Sequence, residues 1–450
     1  ADPSAPPAAN PAAAEPSPPP AAAPSAPPAG VDDPTLAPPA GVDDPTLAPP
    51  GGAPADPDLR DVLSEPRTAP VDPGAGEPMT GTARAGLYHD SDQTTVMRVL
   101  ASIAQTWGAW QATASLGVDA VTSASVDVRM SPALSKVDVV TSASGRSSTS
   151  GGQMTDTRYQ VTGGVGWKDS EGHAATLSTA AAKETDYASV SAGLNGSYDV
   201  LDRSTTLLAG ASVTDNWVSS VLDPALHGKL LSTAWSVGAA RVLTRLDALR
   251  LRYDGKRGDG DQASPYRNVR FGNWAARLGQ RQITFTGTIG AADGLPERLP
   301  EQRTSHAGVL EWVHSLAPGV GLHPALRVAH DSWGIDSLTA ALDVRIARPL
   351  WRLRAGYRYY VQSRADFFED KYVMAPAMYT YYTSDKELGR QHGHLLSLDV
   401  SWVVSDADGP NDRRVRMELQ VDAVRYTYPG YVFLPTRDGV FGSLGFTWEL

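Results

Sequence analysis

Arginine takes every second place through much of "WRLRAGYRYYV" at 351–361, as Arg352, Arg354 and, after a glycine, Arg358. The spacing returns at Arg414 and Arg416 and at Arg250 and Arg252. In an extended chain such residues project from one face. Guanidinium groups in a row can hold carboxylates or phosphates and steer anions. Arg98, Arg327 and Arg345 sit at the polar positions of other alternating stretches. Asp331, Asp343, Asp399, Glu418 and Asp422 share those polar positions. The set reads as a selectivity ladder for anionic solutes or as a charge lattice that keeps a wall wet and rigid. The near balance of signs favours the lattice.

Three further groupings could do chemistry, and each has a plainer reading. His392 and His394 share a strand face at a metal-binding spacing, but no third ligand is evident, so an incidental pair at a loop edge is preferred. "DGKRGDGDQ" at 254–262 offers Asp254, Asp259 and Asp261 to a cation without the spacing of an established calcium loop. An acidic flexible loop is preferred there. Between 365 and 391 lie Phe367, Phe368, Tyr372, Tyr379, Tyr381 and Tyr382, which could stack on sugars from an extracellular loop, fold inward as a constriction or simply pack on one another. Ser305 beside His306 is adjacency, not a triad. No catalytic residue, metal or cofactor is expected.

These residues need long extended elements to carry them. Around Arg352 the opposite parity reads Trp351, Leu353, Ala355, Tyr357, Tyr359 and Val361. Around Arg416 it reads Val415, Met417, Leu419, Val421 and Ala423. The chain ends on "GVFGSLGFTWEL", where only Phe441 breaks the alternation. Sixteen such stretches are expected: 81–90, 95–106, 109–121, 155–168, 172–183, 187–200, 203–217, 230–242, 245–255, 302–315, 319–332, 335–347, 350–364, 392–405, 413–428 and 437–450.

Loop lengths decide what the sheet is. The connections 107–108, 169–171, 201–202, 243–244, 316–318, 348–349 and 406–412 are short and fall at every second position. The long ones, 122–154, 218–229, 256–301 and 365–391, all belong to the other class. Bacterial outer-membrane barrels have this asymmetry, with short periplasmic turns and long outer loops. The strands also have the 9–11 residues needed to cross hydrocarbon, and aromatics such as Trp107, Trp110 and Trp351 crowd their ends. The expected fold is all-β: a single antiparallel transmembrane β-barrel of about sixteen strands over 81–450. Both termini should be periplasmic.

Composition agrees. The 450 residues include no cysteine, which excludes disulfides and thiolate chemistry, and no apolar run reaches the length of a membrane helix. Most of the formal charge of −11 belongs to residues 1–80, with twelve acids and two bases, so no nucleic-acid footprint exists. That head holds 23 of the 35 prolines and repeats "PAGVDDPTLAP" at 28–38 and 39–49. It is expected to be a disordered, Pro/Ala-rich periplasmic extension, with a possible short helix at 57–65 that could dock a periplasmic partner. A first residue other than Met fits a chain whose signal peptide has been removed.

Several stretches resemble an uncharacterised bacterial family of outer-membrane barrels, domain of unknown function 3570. They are "VDAVTSASVDV" at 118–128 with its near-copy "VDVVTSAS" at 137–144, "SPYRNVR" at 264–270 and "LPEQRTSH" at 299–306. "DSWGIDS" at 331–337, "YRYYVQSRADFF" at 357–368 and "YYTSD" at 381–385 complete the set. The head lies outside the resemblance, and 271–296 reads as an insertion. The resemblance implies a barrel and supplies no activity. The last strand, with Phe446, Trp448 and Leu450, resembles the signal read by the outer-membrane assembly machinery. The functional expectation is a porin-like channel for small solutes. The alternative is a loop-plugged, non-conducting anchor that recruits partners through the head.

Overall fold

The computed structural model describes residues 79–123, 154–219, 227–264, 267–276, 283–288, 294–405, 414–431 and 433–449. The proline-rich head, the expected helix at 57–65, the 137–144 stretch and Leu450 lie outside the described residues. In chain order the first half of the wall is β1 (Met79–Asp90), β2 (Thr94–Trp107), β3 (Trp110–Ser123), β4 (Met154–Lys168), β5 (Ala174–Lys183), β6 (Tyr187–Val200), β7 (Thr205–Ser219), β8 (His227–Val242) and β9 (Asp247–Gly260). Four short strands follow: β10 (Asn268–Val269), β11 (Gly272–Ala276), β12 (Ile283–Thr288) and β13 (Leu295–Pro296). The wall resumes with β14 (Gln302–Ala317), β15 (Val320–Asp331), β16 (Asp336–Ala347), β17 (Trp351–Gln362), β18 (Gln391–Ser405), β19 (Val415–Thr427) and β20 (Thr436–Glu449).

β1 to β9 and β14 to β20 close into one antiparallel barrel, with β20 pairing back to β1. All sixteen expected strands are present. One boundary moves in a way that matters. β9 runs on to Gly260, because alternation continues through Asp254 and Lys256 on the inner face and Arg257 and Asp259 on the outer. The "DGKRGDGDQ" stretch is therefore mostly strand rather than a flexible loop. Two of its carboxylates are engaged by arginines, Asp254 by Arg252 at 2.9 Å and Asp259 by Arg257 at 2.7 Å, while Asp261 accepts from the Ala263 backbone N–H.

Side chains on the outward parity are apolar and exposed around the whole circumference. Leu194, Leu251 and Leu396 each leave 59–60% of their surface uncovered. A water-soluble barrel would turn these inward; hydrocarbon is the solvent that tolerates them. Aromatic cross-strand pairs Trp107–Trp110, Trp110–Trp167 and Trp351–Trp402 mark the end with short turns, where both termini also lie. At the long-loop end the outer face carries Tyr253 bonded to His306 (2.6 Å) and Tyr357 bonded to His394 (2.8 Å). Such rings suit the two interfaces of a membrane.

The last strand seals the barrel. Trp448 lies across Gly81 of β1, where a Cβ would overlap the indole, so the glycine makes room for the ring that closes the seam. Phe446 stands exposed on the lipid face. Phe441, the one break in the terminal alternation, points inward and packs against the buried Tyr88, Val96 and Val121.

These faces make opposite demands on a charge. Leu398→Arg, near the middle of β18 on the outer face, should cost ~2–4 kcal/mol of folding free energy in lipid. Ser397→Arg, one residue away on the inner face, should cost much less. Urea unfolding in vesicles would distinguish them; equal costs would mean that the two faces share one environment.

Candidate functional site: a capped polar lumen

The inner wall is not uniform. On β5 to β8 the central inward positions are small or hydroxylated, among them Thr176, Ser178, Ser191, Ser212, Thr214 and Ser232. The other strands of the wall carry the charges. Arg354 spans two neighbours, reaching Asp343 of β16 at 3.0 Å and Asp399 of β18 at 3.1 Å. Arg345 also uses Asp343 (3.2 Å), Arg98 meets Asp119 (2.6 Å), Arg250 meets Glu311 and Arg84 meets Glu418. Asp422 is buried beside Gln420, whose amide donates to it at 2.7 Å. Arg352 and Arg416 keep inward registers toward the short-turn end, and Arg414 lies just before β19. Arg252 and Arg327 point inward from β9 and β15. β17 and β19 do not meet directly, because β18 stands between them and supplies Asp399.

At the long-loop end two connections fuse into a cap. One follows β9 and contains the two-stranded sheets β10–β13 and β11–β12; the other joins β17 to β18. Val269 and Phe271 from the first pack with Tyr372 and Tyr382 from the second, and Leu295 and Tyr379 flank them. Phe271 meets Tyr382 edge-on, with ring centroids 5.0 Å apart. Backbone bridges join Phe271 to Tyr372 and Arg298 to Tyr382. The aromatic loop has thus folded inward on itself, although Tyr381 stays partly exposed against Phe367.

A buried carboxylate ties the two connections together. Glu297 accepts from the Thr383 hydroxyl at 2.6 Å and from the Ser264 backbone N–H at 2.6 Å, with Arg267 at 3.4 Å. Arg267 also reaches Asp385 at 2.9 Å, and Asp385 caps the short turn Lys386–Leu388 by accepting from Glu387 N. That turn is pinned to the barrel. The Gln362 side chain donates to the carbonyls of Glu387 and Gly389, both at 2.8 Å. Tyr428 donates to the Glu387 carboxylate at 3.1 Å, and Arg437 lies 3.5 Å from it. Phe368 and Leu388 sink among Trp333, Ile335, Tyr426 and Tyr428. The motifs at 264–270, 299–306, 331–337, 357–368 and 381–385 therefore meet here. Arg303, for example, pairs with Asp331 (2.7 Å) and lies over Trp333.

Other expected groups are dispersed. Ser305 faces inward and its neighbour His306 outward, so they cannot cooperate. His392 and His394 face outward, and His394 is engaged by Tyr357. Asp169, Glu171 and His173, in the turn after β4, form the one grouping among the described residues that could hold a metal. His173 Nδ1 is already 2.7 Å from the Asp169 carboxylate. The sequence pattern missed Gln362, Glu297, Glu387 and Arg437. Each is defined by a partner far along the chain, although Gln362 and Arg437 stand at inward positions of β17 and β20.

Burial raises the Glu297 carboxyl from 4.5 to about 7, against the pull of Arg267. An acid whose folded pKa exceeds its unfolded one adds its full stability below the unfolded value and loses it as pH rises through the folded value. The cap should therefore be tightest near pH 4.5 and loosen toward pH 7 and above. Hydrogen exchange at Thr383 and Asp385, corrected for intrinsic rates, should accelerate over that window. Glu297→Gln should remove the acceleration; an unchanged pH response in that variant would assign the titration elsewhere.

No curated protein matches the chain. Solved structures with a similar strand arrangement include a bacterial polysaccharide outer membrane secretin, at 9% identity and a TM-score of 0.43, covering 84% of this chain and 100% of that one. The siderophore receptor PirA from Acinetobacter baumannii matches at 11% identity and a TM-score of 0.39, over 78% of this chain and 53% of that one. The TodX deltaS2S3 mutant monoaromatic hydrocarbon channel matches at 10% identity and a TM-score of 0.37, over 83% and 90%. The chain spans about half, 54%, of the ferric enterobactin receptor (PfeA) that it also resembles. The family described as a protein of unknown function (DUF3570) matches residues 63–233 and 227–419, most of the chain, and this β-barrel of outer-membrane type belongs to that family.

Proposed function

We propose that the protein is a porin-like channel for small solutes in the bacterial outer membrane. Its lumen is wet, its mouth is narrowed by the cap, and both termini lie in the periplasm. One observation carries this reading. Ion pairs between strands of the inner wall run along it, joining strands adjacent or one apart, as Arg354 does with Asp343 and Asp399 and Arg84 with Glu418. Such side chains lie against the sheet instead of tying opposite sides together. The hydroxylated strands β5 to β8 have no long charged group at their central inward positions to reach across. Sixteen strands then enclose room for water. Lipid is the bulk partner, and the assembly machinery would read the last strand through Phe446, Trp448 and Leu450. No catalytic role is proposed.

A second reading rests on the cap itself. Its buried aromatics and the Glu297 and Glu387 contacts hold it firmly at the long-loop end. A cap that never opens would make the barrel an anchor whose proline-rich head recruits a periplasmic partner. Planar-bilayer recording of the purified full chain separates the two. The channel reading expects stepwise open-channel current, larger at pH 8 than at pH 5 as the cap loosens. A silent bilayer, with the protein inserted and a partner still captured through residues 1–78, would establish the anchor instead.

A further inference from the structure

Among the described inward-facing arginines, Arg358 alone lacks a partner. Its neighbours on the same face of β17 are Gly356 and Tyr360, and across the strands it meets Ala341 of β16 and Leu395 of β18. None of these can neutralise it. The closest acids on the same wall are committed elsewhere. Asp343, one inward position away beside Gly356, holds Arg345 and Arg354, and Asp399 also holds Arg354. Leaving one guanidinium unpaired on a wall that pairs its neighbours is a specific arrangement.

Its position adds to the case. Tyr360, the next inward residue of β17, is buried to within 2% and donates to Gln362, which anchors the cap. Arg358 therefore lies immediately beneath the cap, half-buried, where water is thinner than in the open lumen. Ala341 beside it adds only a methyl group, and the Asp343 carboxylate, held by Arg345 and Arg354, fills the space over Gly356. A guanidinium in that setting binds oxyanions in bidentate fashion, and reduced hydration strengthens the contact.

Resting on the channel reading above, we infer that Arg358 is the binding site for a small oxyanionic solute, a carboxylate or phosphate, held beneath the cap during passage. The arginines fixed by Asp343, Asp399, Asp119 and Glu311 shape the wall, and Arg358 selects. Thr339, on the flanking strand β16, is the nearby hydroxyl that can satisfy a remaining oxygen of such a solute, since Ser397 already bonds Asp422.

The test uses the full chain in planar bilayers with inorganic phosphate as the probe. Wild type should pass chloride with a reversal potential favouring anions, and phosphate should block that current. Arg358→Gln should move the reversal potential toward cations and weaken the phosphate block about tenfold, the loss of one charge-assisted contact. Arg358→Lys, which keeps the charge without the fork, should restore selectivity but only part of the block. Open channels whose selectivity and block are the same in Arg358→Gln as in wild type would overturn the site and leave the channel reading standing. Should the bilayer be silent, phenylglyoxal labelling of the detergent-solubilised chain decides separately. Protection of Arg358 by phosphate, read by mass spectrometry, supports the site without a channel; labelling unaffected by phosphate overturns it.

Discussion

Backbone polar groups cannot be left unpaired in hydrocarbon, and only closing the sheet on itself removes its edges. In this chain closure depends on β20 finding β1, more than 350 residues back in sequence, through the register that runs from Thr80–Glu449 to Asp90–Gly439. Trp448 over Gly81 is the side-chain counterpart of that register. Once the ring is closed, the pleat assigns every alternate residue to lipid or lumen. The outward leucines and valines and the inward arginines are therefore two consequences of one geometry, not separate adaptations.

A polar interior then has to be managed. Most of the wall does so by pairing guanidinium groups with carboxylates on neighbouring strands, which keeps long side chains flat. The middles of β5 to β8 use serine, threonine, alanine and glycine, which are too short to cross the lumen. At the long-loop end the balance changes. There the inner wall turns aromatic, with Tyr360, Tyr426 and Tyr428 accepting the cap as a soluble protein accepts a docked loop. The cap and the wall beneath it share a conventional buried core.

The wall was legible in the sequence because its signal is local. Alternation in "WRLRAGYRYYV" and the parity of loop lengths need only neighbouring residues, and all sixteen strands followed from them. The signal faded on β5, where "AATLSTAAAK" places small residues on both faces, yet the strand is there because its neighbours pair with it. The end of β9 was misjudged because acidic residues suggested a loop, whereas Asp254 and Asp259 were each answering an arginine two residues away. The site was legible only in outline. The aromatic loop announced a structure of its own, but its direction depended on Gln362, Glu387 and Tyr428, and its bond to the second connection on Glu297 and Thr383. Contacts that span 25 to 86 residues leave no periodic trace. Arg358 looked like any other arginine until the register showed which neighbours it lacked.

The whole interpretation requires that adjacent residues of one strand meet different solvents on both halves of the barrel. With no native cysteine, single substitutions give a clean reading. Leu194→Cys and Leu396→Cys on the outer face, and Asn195→Cys and Ser397→Cys on the inner, would each be labelled with a small fluorophore in vesicles. Quenching by nitroxide lipids at 194 and 396, with quenching by aqueous iodide at 195 and 397, is the predicted outcome. Lipid quenching at all four sites, or at none, would contradict it.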